Sequence, residues 1–368
     1  MAKTSGGREF LGTFGLVFLS IGVLFVIDTF LARVERSETR TEAVRLFTEG
    51  QRLIARGDYG RAIGRFKDAL AIERTNRDFA RTLAQAQLAA GKTADAEQTL
   101  SELLQSDSTD GLTNLLMARV LVKEQRFDEA SSYYHRAIFG RWNQDAAGNE
   151  LRARFELIGL LAERGAKEAL LAELLPVQDL APRDMKTRLR MGQLFLAAGS
   201  PNRAADIFRA IVREQPSNAE AHSGLADAVF AVANYRGARV EYQTAVRLDP
   251  NDEAARKRLE LCNEVLALDP AIRGLGPGQR FRRSLMLLRQ TLDESSKCIP
   301  KAPAQADQNL LDQADKALKE RVTAVREAEV AESNIDLAEK LWQLRKRACV
   351  APPAVDSPLT LVLAKMAQ

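Results

Sequence analysis

Imidazole and thiol chemistry in this 368-residue chain is confined to His135, His222, Cys262, Cys298 and Cys349. Two ligands that grip one transition-metal ion from a single helix or tight loop need a C-x-x-C or H-x-x-x-H spacing, and none of these residues stands at either. No Ser-His-Asp, Cys-His or paired-carboxylate arrangement rises above the background of a Glu-rich sequence. The expectation is therefore no catalytic group, no metal and no cofactor, with both histidines structural and Cys262 a small buried hydrophobe. Gly274, Gly276 and Gly278 suggest a phosphate loop, but no strand precedes them and no G-K-[ST] follows. The stretch AIRGLGPGQRFRRS reads instead as a flexible joint. Arg280, Arg282 and Arg283 read as a solvated helix start, with an anionic-lipid or acidic-partner site as the alternative.

Composition says what must position these residues. With 53 Lys+Arg against 49 Asp+Glu the formal charge is only +4 and the signs are interspersed, which is a solvated surface and no nucleic-acid footprint. Ala, Leu, Arg and Glu dominate, aromatics make up 6%, and β-branched alternation is scarce, so the chain is expected to be all-α.

From Phe10 to Ile27 no residue is charged, and apolar character resumes at Phe30 and Leu31. A helix of roughly 20 such residues crosses a hydrocarbon core of about 30 Å. No convincing small-x-small cleavage site follows, so an uncleaved anchor over residues 10–31 is expected, with Asp28 in the headgroup layer. Lys3 and Arg8 on one side face Arg33, Arg36, Arg40 and Arg45 on the other, so charge alone does not set the orientation.

Beyond the anchor, small residues recur at a fixed interval. Ala62, Ala96 and Ala130 are 34 residues apart, as are Ala204 and Ala238. Four residues after each stands a large side chain (Phe66, Leu100, Tyr134, Phe208, Tyr242), and three further on another apolar one (Ala69, Leu103, Ala137, Ile211, Ala245). These offsets put all three on one helix face, where the alanine lets a neighbouring helix approach. A first helix upstream carries a large–small pair: Leu83-Ala84, Met117-Ala118, Met191-Gly192, Leu225-Ala226, and more weakly Glu49-Gly50. A turn at Gly57, Gly91, Gln125, Gly199 or Ala233 joins the two. The interval from Ala130 to Ala204 is 74, two periods plus six residues, so a further unit lies between them with the extra residues expected near Asp145–Glu150. Pro182, Pro216 and Pro250 close three units.

The segments GDYGRAIGRFKDALAIE, QRFDEASSYYHRAI and NYRGARVEYQTAVRLDPND resemble the tetratricopeptide repeat family. That resemblance implies stacked helix pairs with a concave face lined by first helices, on which family members usually bind peptides or proteins. The residues it places there are Phe47, Gln51, Ile54, Arg81, Gln85, Leu88, Leu115, Arg119, Val122, Phe155, Leu189, Gln193, Leu196, Asp227 and Phe230. A clamp for a C-terminal carboxylate, as some members have, is disfavoured, because Gln51, Gln85 and Arg119 hold the comparable places.

The C-terminal third reads as three helices, roughly Arg282–Cys298, Asp307–Arg326 and Asp336–Cys349, the last started by a capping signal at Ser333. In an up-down-up arrangement the first and third end at one level, making Cys298 and Cys349 neighbours; one continuous helix over 307–349 would part them by about 60 Å. Both cysteines are soon followed by proline, in CIP and CVAPP. A Cys298–Cys349 disulfide is expected, and with it an oxidising compartment.

The expected architecture is a tail (1–9), a transmembrane helix (10–31), a juxtamembrane linker (32–42), a tetratricopeptide α-solenoid of about six helix pairs plus a capping helix (43–270), a Gly/Pro linker (271–281) and a small C-terminal helical bundle (282–368). The function that follows is a membrane-anchored protein–protein interaction scaffold or assembly subunit of an envelope complex. It sits in a bacterial-type inner membrane with the soluble part extracytoplasmic, or alternatively facing the cytoplasm. A regulatory or degradation adaptor that recruits a catalytic partner is the second reading. The partners are proteins and, through residues 10–31, the lipid bilayer, with no nucleic acid and no small-molecule substrate.

Overall fold

The computed structural model describes residues 25–26, 29, 38–178, 184–297 and 304–367. Among them all regular structure is helical, and extended pairing is limited to an isolated bridge between Asp110 and Arg141. The expected span 10–31 lies outside the described residues except for Phe25, Val26 and Thr29; among the described residues no helix is long and apolar enough to cross a membrane.

The chain divides into two compact units, Met1–Leu160 and Leu161–Gln368. The first holds α1 (residues 38–55), α2 (Tyr59–Ile72), α3 (Arg77–Ala89), α4 (Thr93–Ser106), α5 (Gly111–Lys123), α6 (Phe127–Ile138) and most of α7 (Ala146–Glu163). The second holds α8 (Lys167–Val177), α9 (Met185–Ala197), α10 (Pro201–Glu214), α11 (Ala219–Ala231), α12 (Tyr235–Leu248), α13 (Glu253–Leu268), α14 (Pro277–Ser296), α15 (Gln305–Lys319), α16 (Glu327–Ala348) and α17 (Pro358–Met366).

Within each unit the second helices bury the expected stripe. Ala62, Ala96, Ala130, Ala204 and Ala238 are fully buried, as are Phe66, Leu100 and Phe208, with Tyr134 and Tyr242 nearly so. A glycine on a first helix gives two of these rings their room, and Gly50 does so for Phe66. Phe208 is wedged against Gly192 and Gly224; a Cβ at Gly192 would come within 2.5 Å of the ring's Cζ. The turns between paired helices carry a left-handed residue at Gly57, Gly91, Gln125, Gly199 and Ala233, and also at Gly165 in the α7–α8 turn. The next amide reaches back to the carbonyl five residues earlier, Asp58 to Leu53 at 2.9 Å and Arg126 to Leu121 at 2.9 Å, which satisfies the helix end.

Several expected boundaries shift. Helix already covers residues 38–42 of the stretch read as linker. The six extra residues are not gathered at 145–150; they are spread over the loop 139–145, the longer α7 and the α8–α9 connection. Trp142 anchors that loop, donating from Nε1 to the Ala137 carbonyl at 2.9 Å and packing on Gly111. α14 starts at Pro277 instead of 282, because proline needs no amide partner in a first helical turn. α16 starts at Glu327, so Ser333 and Asp336 lie inside the helix and do not begin it; Val330 and Ala331 are buried and extend the apolar stripe a further turn.

The C-terminal helices do run up-down-up. Arg280 pairs with Glu332 at 2.6 Å, Asn334 donates to Ser284 at 3.1 Å and Ser295 donates to the Leu341 carbonyl at 3.2 Å, so α14 and α16 lie parallel. Arg347 meets Asp307 at 2.7 Å, joining the end of α16 to the start of α15. α17 closes the unit: Leu359, Val362 and Leu363 share a core with Tyr235, Leu268, Leu287, Leu341 and Trp342.

Candidate partner-binding site

An Asx residue starts most first helices. Asn76, Asp110, Asp184, Asn218 and Asp252 each accept a hydrogen bond from an amide in the first turn of α3, α5, α9, α11 and α13. Such caps satisfy donors that the helix cannot, and they pin the axial position of the side chains that follow. Asn76 and Asp110 are 34 residues apart, as are Asp184, Asn218 and Asp252, the last three each two residues beyond a proline (Pro182, Pro216, Pro250), a signal readable in the sequence beside the alanine pattern.

In the first unit, Gln51 and Gln85 are exposed on α1 and α3, and Ile54, Leu88, Val122 and Phe155 are half-buried. Phe47 is half-buried: its ring stacks on Phe79 at 4.3 Å and tilts onto Phe66 at 5.3 Å. Arg119 grips Glu156 with two bonds of 2.6 and 2.9 Å, and the Tyr134 hydroxyl donates to the same carboxylate at 3.3 Å. Burial, followed by the Glu156 charge, raises the Tyr134 pKa, and the bond to Glu156 raises that of Arg119. Arg119 is half-buried, with its guanidinium committed to Glu156.

Two expected groove residues of this unit are not surface. Leu115 is 1% exposed and packs inside, and Arg81 is 9% exposed. The Arg81 guanidinium bonds Asp110 at 2.8 Å and Asp78 at 2.6 Å, so it ties α3 to the cap of α5. Leu189 of the second unit, at 7%, is likewise core. All three are buried, and Arg81 lies against the cap of the succeeding first helix.

The second unit presents Gln193, Leu196, Asp227 and Phe230 on α9 and α11. Gln193 donates to Glu220 at 3.0 Å. Phe230 meets Tyr235 edge-on at 5.1 Å, and the Arg258 guanidinium lies 5.2 Å from its centroid. The Tyr242 hydroxyl donates to Asp227, whose pKa is raised chiefly by loss of water around the carboxylate. His222 is buried, with Glu241 at 2.7 Å and the Pro216 carbonyl at 3.0 Å on its two ring nitrogens, which fits the structural role expected of it. Cys262 is a free, buried thiol, its pKa pushed up to about 11 by desolvation. Cys298 lies outside the described residues, so its expected pairing with Cys349 does too.

These faces, repeated on successive first helices of antiparallel pairs, define a helical-repeat protein. The family model for the tetratricopeptide repeat matches residues 53–120 and 195–261, and the chain carries tetratricopeptide repeats there. Among solved structures, the C-terminal part of a TPR repeat-containing protein from Cytophaga hutchinsonii is 15% identical, with a TM-score of 0.46 over 65% of this chain and 92% of its own. A tetratricopeptide repeat protein from Parabacteroides merdae is 15% identical, with a TM-score of 0.41 over 61% and 99%. YrrB, described as a TPR protein with an unusual peptide-binding site, is 18% identical, with a TM-score of 0.43 over 53% and 97%. No curated protein matches the sequence.

Proposed function

We propose that this chain is a membrane-anchored scaffold that holds an extended or helical segment of a partner protein on its first-helix faces. The observation that carries the reading is the alternation on those faces of exposed amides, Gln51, Gln85 and Gln193, with half-buried apolar side chains, Ile54, Leu88 and Leu196. Such a surface offers hydrogen bonds to a backbone and shallow apolar contacts to its side chains. Residues 10–31 supply the anchor on the strength of their sequence, and tethering raises the effective concentration of neighbours enough for modest contacts to suffice. A Cys298–Cys349 bridge, placing the soluble part outside the cytoplasm, is supported by the parallel course of α14 and α16 and by the position of Cys349 directly after α16.

A photo-crosslinking residue placed singly at Gln51, Gln85 and Gln193, in cells expressing the full chain, tests the reading. The expected result is capture of one partner from both Gln51 and Gln85, capture of a partner from Gln193, and none from Lys67 or Gln243, exposed on second helices. Capture from the second-helix sites alone would sink it. Recovery of a hydrolase or transferase in place of stable structural subunits would favour the adaptor reading.

A further inference from the structure

Where α12, α13 and the Gly-rich segment before α14 meet, a pocket of about 320 Å³ opens, and its charged lining is entirely guanidinium. Arg236 and Arg239 come from α12, Arg273 from the segment and Arg283 from α14, with Asn263 of α13 adding an amide. No carboxylate lines it. Some other arginines of this protein are clasped by acids: Arg126 alone meets Glu97, Glu124 and Glu129. Among the described residues no ion pair involves Arg236, Arg239, Arg273 or Arg283. Arg283 is held by the Leu266 and Asp269 carbonyls at 2.5 and 3.1 Å, and the buried Nε of Arg239 has no hydrogen-bond partner.

Converging like charges repel, and a buried donor left unpaired is costly, so the arrangement is complementary to an anion. Guanidinium forks that arrive from three directions suit a tetrahedral, multiply charged oxyanion better than a planar carboxylate, which one or two forks saturate. We propose that this pocket binds a phosphate group, carried by a phospholipid headgroup or by a soluble phosphate. The site is independent of the first-helix faces and stands or falls apart from them.

Calorimetric titration of the full chain in an uncharged detergent tests it, with inorganic phosphate, short-chain phosphatidic acid and acetate as probes. Saturable binding of phosphate indicates a soluble source; binding of the phosphatidic acid alone indicates a headgroup. Either supports the site if affinity falls at least tenfold in Arg236→Gln/Arg273→Gln, a variant of two exposed side chains whose melting should match the parent. Arg283 is left intact because it anchors the segment. No saturable binding of either phosphate probe, equal binding by the variant, or acetate bound as tightly as phosphate would overturn the proposal.

Discussion

Asp227 keeps contact with solvent, yet the packed protein around its carboxylate raises its pKa, outweighing the Tyr242 hydrogen bond and the Arg258 charge, which pull the other way. A carboxyl whose folded pKa exceeds its unfolded value contributes stability below the unfolded pKa, near 3.9 for aspartate, and loses it as pH rises through the folded value. Asp227→Asn, neutral throughout and still able to accept from Tyr242, should therefore melt with the parent at pH 3 and above it at pH 7. Thermal melts across that range check the sign, and a variant less stable at pH 7 than at pH 3, relative to the parent, would contradict it. At this scale the buried stripe from Ala62 to Ala245 was legible because a helix imposes its period on any face it buries. The acid's setting was not: it depends on Tyr242 and Arg258, 15 and 31 positions away, and no periodicity reports a hydroxyl across a helix pair.

Between elements, the clasp of Arg81 on Asp110 does more than neutralise charge. Asp110 caps α5 through the Thr113 amide at 2.9 Å, receives Arg81 at 2.8 Å and Arg77 at 3.4 Å, and pairs by backbone with Arg141. The carboxylate thus fixes the start of α5 and the flank of α3, and the backbone of the same residue meets the loop after α6. Removing Arg81 leaves the buried anion with only the longer Arg77 contact as counter-charge, so Arg81→Met should cost about 3 kcal/mol, the low end for a broken buried pair. Arg81→Met/Asp110→Asn, which retains the cap, should recover a large part of that loss. Denaturant titration of both variants measures it, and additive losses would show that the two residues are uncoupled. Arg81 was expected on a binding face because the resemblance carried the repeat register onto it; its partner stands 29 residues on, beyond any local pattern. The misplaced start of α16 has a similar cause. Ser333 and Asp336 mimic a cap, but tertiary burial of Val330 and Ala331 overrides that local preference.

Among the described residues the helix-pair period and the C-terminal helix order were legible, since both follow from period and chain reversal, whereas the seat of the last helix was not. α17 docks on its own unit: Val362 and Leu363 are buried, and Lys365 reaches the fully buried Asp269 at 2.6 Å. Ending the chain before Pro358 should strip those side chains from the shared core and leave Asp269 without its cation. Hydrogen exchange should then lose protection in α13 and α14 by at least tenfold, and unchanged exchange there would show that α17 is dispensable. The two tryptophans offer a way to watch such events separately. Trp142 pins the loop after α6 in the first unit, and Trp342, 4% exposed, lies in the core beneath α17 in the second. Each unit therefore carries its own built-in fluorophore, and a single Trp→Phe exchange silences one while the other's emission reports its surroundings alone.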